Sequence, residues 1–169
     1  MKIVIATPLF PPDIEGVAFY SKELALRLSG EHDVTVITYG HLPEKVAGVR
    51  ILAIDKRSSR FLRLFRCTRA LTKAARDADI IYAENGPSVE LPLTIAALLT
   101  RAKIIFHIGD KAAHLYASSH FLRHVIERIA LAHAHARVED SPIPRPEIIP
   151  FHPYPQKEFK TYEESWAVH

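Results

Sequence analysis

From residue 1 to residue 136 the chain alternates short β-branched runs with longer stretches of helical periodicity, and few folds accept that pattern. Residues 2–7 (KIVIAT) are apolar on both faces, as a strand inside a parallel sheet has to be. Residues 34–39 (VTVITY), 49–54 (VRILAI), 79–83 (DIIYA) and 103–108 (KIIFHI) read as four more strands. Residues 17–28 place apolar side chains at 17, 20, 24, 25 and 28, the 3.6-residue period of a helix, closed by Ser29 and Gly30. Helices are also predicted over 58–76, 89–99 and 119–136. The expected fold class is α/β: a Rossmann-like parallel sheet with helices on both faces and right-handed crossovers. Such sheets bind ligands beyond the carboxyl ends of their strands, which here means the loops at 8–16, 84–88 and 109–111.

A length of 169 residues supplies one sizeable domain and not two. The domain is expected over residues 1–137, because residues 141–155 carry six prolines that exclude helix and central strand. Residues 138–169 are expected to be a linker or an arm lying on the domain. No run of about 18 uncharged apolar residues is present, so no membrane span is expected. The apolar start is too short for a signal peptide before Pro11, Pro12 and Asp13. Cys67 has no second cysteine to pair with, and a cytoplasmic protein is the simpler expectation. It sits among arginines in a predicted helix, where a structural role is expected over a nucleophilic one.

The loop after the first strand lacks G-x-G-x-x-G, which argues against a nicotinamide or flavin dinucleotide. It reads Pro11-Pro12-Asp13-Ile14-Glu15-Gly16-Val17 and runs directly into the first helix. Gly16 at a helix start lets a ligand approach the backbone amides, where the dipole favours an anion such as a diphosphate. A tight turn that needs a glycine accounts for the same residue equally well.

The opening, MKIVIATPLFPPDIEGVAFYSKELALRLSGEHDVTVITYG, resembles that of glycosyltransferase family 4. There a Pro-Pro loop and a Gly-Gly pair lead into helix one, and a V-T-V-I-T strand follows. Asp79-Ile80-Ile81-Tyr82, the strand Ile104-Ile105-Phe106-His107, and Ile148-Ile149-Pro150-Phe151 with Phe159 are similar to later segments of the family, in order and spacing. The resemblance implies one half of a GT-B fold: the N-terminal domain that mostly holds the acceptor, facing a second domain that holds a nucleotide sugar. It implies that Gly16 and Val17 lie against the donor diphosphate and that His107 approaches the transferred sugar. His107 would donate to a sugar hydroxyl or stabilise charge in an oxocarbenium-like transition state, unless it is simply packed at the strand end. Asp110 would orient His107 or bind a sugar hydroxyl, unless it caps the helix that follows. Glu84, Asn85 and Asp13 are the candidates for acceptor contacts. No cofactor is expected beyond the nucleotide-sugar donor, and no metal.

The departures from the family pattern matter too. Glu15 stands at the family's first glycine, where its carboxylate would repel a diphosphate. Tyr82 and Glu84 replace two histidines, and Phe151-His152 replaces an Asn-Gly turn. Between the last helix and Ile148 a strand and a helix of the pattern are expected to be missing. The donor-binding domain is also expected to be absent, which implies inactivity unless another chain supplies it.

Arg57, Arg60, Arg63, Arg66 and Arg69 recur every third residue, drifting by about 60° per step around a helix. Arg60, Arg63 and Arg66 are read as lying opposite Phe61, Leu64, Phe65 and Leu71, so that the apolar face docks on the sheet. The basic face is then either solvated or attracted to an anionic membrane surface, which would place the protein at the inner face of the membrane. Net charge is +3 and no reading motif is present, so nucleic acid is not an expected partner. His120 and His124 have the i, i+4 spacing of a zinc pair, but no third ligand accompanies them.

Two functions stay open. One is the acceptor-side half of a nucleotide-sugar-dependent glycosyltransferase, completed by another chain or covering its cleft as a homodimer. The other is a non-catalytic carbohydrate-, lipid- or partner-binding module derived from that fold. A degenerate binder has no reason to keep Gly16 and His107 together.

Overall fold

The computed structural model describes residues 1–109 and 121–139. In chain order these form β1 (Lys2–Ala6), α1 (Gly16–Ser29), β2 (Asp33–Tyr39), β3 (Val49–Ile54), α2 (Arg60–Ala75), β4 (Ile80–Glu84), α3 (Pro87–Leu99), β5 (Lys103–Ile108), α4 (Phe121–His133) and β6 (Ala136–Glu139). The strands make one all-parallel sheet in the order β3-β2-β1-β4-β5-β6. This is the Rossmann-like α/β order, and its direction reverses between β1 and β4. The loops after β1 and β4 follow that point, which is where sheets of this order bind their ligands.

The period of two along each strand divides the core. Val4, Ala6, Ile37, Ile81, Ala83, Ile104 and Phe106 face α2, α3 and α4. Ile3, Ile5, Val34, Val36 and Tyr82 face α1. Helix α1 buries Ala18, Ser21 and Ala25, residues small enough for its backbone to lie close to the sheet. The buried hydroxyl of Ser21 donates to Thr7 Oγ1 at 3.0 Å, and Thr7 donates to the Leu9 carbonyl at 2.8 Å. That chain of bonds ties α1 to the loop after β1 and leaves neither hydroxyl unsatisfied.

Helix α2 starts at Ser59, whose Oγ accepts from the Leu62 amide at 3.4 Å. It docks on only part of the expected face, with Leu71 fully buried and Leu64 half-buried. Cys67, Leu71 and Ala75 are its buried residues, with Ala70 and Ala74 beside them, while Phe61 and Phe65 are 85% and 63% exposed. Phe65 and Leu71 are six residues apart, about 120° around a helix, so they cannot share one buried stripe. Alanines flanking Leu71 let the helix approach the sheet along the narrower stripe. The Cys67 thiol, as expected, is buried, and burial pushes its pKa up, which suppresses the reactive thiolate.

Helix α3 opens with Pro87, a residue suited to a first turn, and contains Pro92 within. Pro92 has no N–H to give the Ser88 carbonyl four residues earlier. The Tyr39 hydroxyl donates to that carbonyl instead, at 2.8 Å. Burial above all, and then the neighbouring Cys67, hold the Tyr39 hydroxyl well above the usual phenol range.

The last elements correct the sequence expectation. The helix expected to reach residue 136 stops at His133, and Ala136–Glu139 is a strand paired with β5. One strand of the stretch expected to be missing is therefore present. Four residues (ARVE) are too few to show a period of two, so only pairing with β5 reveals it. The His135 amide donates to the Ile104 carbonyl at 2.8 Å, and the Ile104 amide donates to His135 Nδ1 at 3.2 Å. Asp110, Lys111, His120, the proline-rich stretch and Phe151 to Phe159 lie outside the described residues. No helix among the described residues is long and apolar enough to cross a membrane.

Candidate functional site

Parallel pairing of β4 with β5 sets Glu84 opposite His107 at the carboxyl ends of both strands. Glu84 is two residues from Tyr82, so it shares the α1 face of the sheet. There His107 Nδ1 lies 2.9 Å from Glu84 Oε2, with side chains only 4% and 1% exposed. The second carboxylate oxygen, Oε1, is buried with no hydrogen-bond partner among the described residues. A buried oxygen left this way costs roughly 1–3 kcal/mol, so an ordered water or a ligand hydroxyl is its expected partner. With Glu84 ionised, Nδ1–H donates to Oε2 and the neutral ring carries its lone pair on Nε2. Such a pair fixes one tautomer and can hold a proton beside a carboxylate.

Two tyrosines flank the pair. The Tyr20 ring, from α1, lies 5.2 Å from the His107 ring, and the Tyr82 ring lies 5.8 Å away, both tilted. The Tyr82 hydroxyl donates to the Tyr20 hydroxyl at 3.4 Å. Burial, then that hydrogen bond and the charge of Glu84, push the Tyr82 hydroxyl far above the usual phenol range. It therefore acts as a neutral hydrogen-bonding group and not as a base. Tyr20 is the more exposed of the two rings and is the one a ligand meets first.

Glycines make the approach possible. A Cβ on Gly109 would come 3.2 Å from His107 Cε1 and 3.3 Å from Glu84 Oε2. A Cβ on Gly86 would come 3.3 Å from Pro8 Cγ, where the loops after β1 and β4 meet. Gly16 is different: it has no positive φ, and a Cβ there would meet nothing within 4 Å. The tight-turn explanation for Gly16 thus does not hold. Tyr20 follows Gly16 by four residues and so stands above it on the same helix face. The ring packed beside His107 is thus carried on the helix that begins at Gly16.

The other expected residues fall as follows. Asn85 is buried, and its backbone N–H donates to the His107 carbonyl at 2.9 Å. Asp13 Oδ2 accepts from Lys56 Nζ at 2.7 Å. Glu15 is the N-cap of α1 with an exposed carboxylate that makes no capping bond. Asp110, expected to orient His107, bind a sugar hydroxyl or cap a helix, lies outside the described residues. Sequence reasoning missed Tyr20, although its spacing from Gly16 marked it. Among the described residues no group of three or more His, Cys, Asp or Glu is placed to hold a metal ion.

A Rossmann-like sheet with polar residues gathered at the carboxyl ends of its inner strands defines a ligand-binding α/β domain. The chain belongs to the glycosyl transferase 4-like domain family, whose model matches residues 15–143, and so forms one half of a GT-B fold. No curated protein matches the chain in sequence. Among solved structures it is similar to HepE from Anabaena, determined in complex with UDP. That likeness has 18% identity and a TM-score of 0.48, over 79% of this chain and 35% of that one. The chain thus spans about a third of that protein's length.

Proposed function

We propose that this domain is the acceptor-side half of a nucleotide-sugar-dependent glycosyltransferase, working in the cytoplasm with a donor-binding GT-B domain carried on another chain. The observation that carries the reading is the buried Glu84–His107 pair, set beside Tyr20 and the amino end of α1. The donor diphosphate meets the amides of Gly16 and Val17, where the helix dipole stabilises negative charge. An absent side chain at 16 leaves that approach open. His107 meets the transferred sugar and stabilises charge as the glycosidic bond to the diphosphate breaks. Glu84 keeps the ring in one tautomer and orientation, and its Oε1 accepts from a substrate hydroxyl. Tyr20 supplies an apolar ring face and a hydroxyl for the sugar.

A second reading, a non-catalytic carbohydrate-, lipid- or partner-binding module, is favoured by one observation: the residue capping α1 is Glu15, whose negative charge at the helix start disfavours a diphosphate. Sugar transfer separates the two. The chain is combined with a separately expressed GT-B donor-binding domain, and His107→Ala and Glu84→Gln are compared with the parent. Under the first reading His107→Ala lowers kcat about a hundredfold or more. The Glu84→Gln loss is smaller, because a glutamine oxygen still accepts from Nδ1. An unchanged rate in His107→Ala contradicts the catalytic reading.

A further inference from the structure

Helix α2 turns outward a set of side chains that a helix serving only to cover a sheet has no use for. Leu62, Arg66, Arg69, Lys73 and Arg76 recur at steps of three and four along its outer side. Phe61 and Phe65 form the neighbouring row and are exposed, Phe61 the more so. The helix contains no acidic residue, and none of its cations forms an ion pair among the described residues. Arg63 and Arg66 donate only to the Lys56 carbonyl and Ser58 Oγ, at 3.2 and 3.0 Å. Beside its second half, a groove of about 550 Å³ opens against the amino ends of the strands. Lys2, Arg50, Arg66, Arg69 and Lys73 line it against only two acids, Asp33 and Asp77.

Water-facing aromatic rings beside unpaired cations are the composition of a surface that lies in a headgroup layer. We propose that the outer face of α2 docks on an anionic lipid bilayer. Phe61 and Phe65 enter the headgroup region, Arg69, Lys73 and Arg76 meet lipid phosphates, and the groove admits one headgroup. Charge complementarity selects this occupant: a face with this excess of cations repels a second copy of itself. The contact differs from the one read in sequence. There Arg60, Arg63 and Arg66 faced the membrane and the phenylalanines were buried, whereas Arg63 is half-buried and the phenylalanines are outside. The inference is independent of whether the domain transfers sugar.

The test is sedimentation of the full chain with vesicles of phosphatidylcholine alone, and with phosphatidylglycerol added. Binding is expected to the anionic vesicles only, and it weakens as salt screens the charges. Replacing Arg69→Gln and Lys73→Gln lowers affinity about fivefold for each charge removed. Phe61→Ser with Phe65→Ser also weakens binding at unchanged charge. Arg101→Gln with Arg128→Gln, exposed cations elsewhere, leaves it unaltered. All these positions are exposed, and circular dichroism confirms that each variant is folded. Three results overturn the proposal: no binding to anionic vesicles, equal losses in the control pair, or full binding by the serine pair. A dimer that the serine pair abolishes, with no vesicle binding, assigns the face to a second copy instead.

Discussion

His107 and Glu84 meet because β4 and β5 run in register, and nothing nearer in sequence imposes their contact. Gly109 shows how little space the pair has. A methyl group there presses on His107 Cε1 at 3.2 Å and Glu84 Oε2 at 3.3 Å, so one of these buried side chains has to give way. Gly109→Ala is therefore expected to displace the His107 ring and lengthen its bond to Glu84. The His107 ring nitrogen resonances, followed by NMR, should move while the far end of the sheet stays unperturbed. Unmoved His107 signals would mean that the site yields elsewhere. At this scale the placing of Gly16 and His107 at the ends of regular elements was legible in sequence. The contact between His107 and Glu84 was not, because Glu84 is 23 residues away and becomes adjacent only through strand pairing. Asp110, read as orienting His107, binding a sugar hydroxyl or capping a helix, lies outside the described residues.

Elements whose signal is periodic over many residues were readable, and those whose signal is tertiary were not. The strands at 49–54 and 103–108 have the bounds their sequence suggests. Helix α2 existed as read but presents another face, because the alanines that set its docking stripe weigh less in a hydropathy pattern than the phenylalanines it leaves outside. Strand β6 was invisible for want of length. Helix α3 raises a different matter: Pro92 leaves the Ser88 carbonyl without its helical donor, and Tyr39 replaces it from β2. Tyr39→Phe is expected to cost about 1–2 kcal/mol in urea unfolding, the loss of a bond that leaves a carbonyl unpaired. In a Pro92→Ala background the same change should cost less, since residue 92 then supplies its own N–H to Ser88. Equal costs in both backgrounds would show that the Tyr39 bond does not stand in for the one proline removes.

For the whole molecule, the order β3-β2-β1-β4-β5-β6 decides where chemistry can occur. The order reverses between β1 and β4, and Glu84, His107 and the Tyr20 ring come together at the carboxyl ends beside that point. The basic groove beside α2 lies at the amino ends, so it and the Glu84–His107 pair occupy opposite ends of the sheet. Strand–helix alternation made this architecture legible before any contact was known; the corrected face of α2 was not legible, because it depends on packing. The central claim is that a diphosphate sugar enters at the amino end of α1 and reaches His107. An NMR titration of the isotopically labelled chain with UDP- and GDP-hexoses tests it most directly. The account predicts that the Gly16 and Val17 amide signals and the His107 ring signals shift together, in weak and rapidly exchanging binding, while a free hexose leaves Gly16 and Val17 unmoved. Shifts confined to the groove beside α2, with Gly16, Val17 and His107 silent, would contradict it.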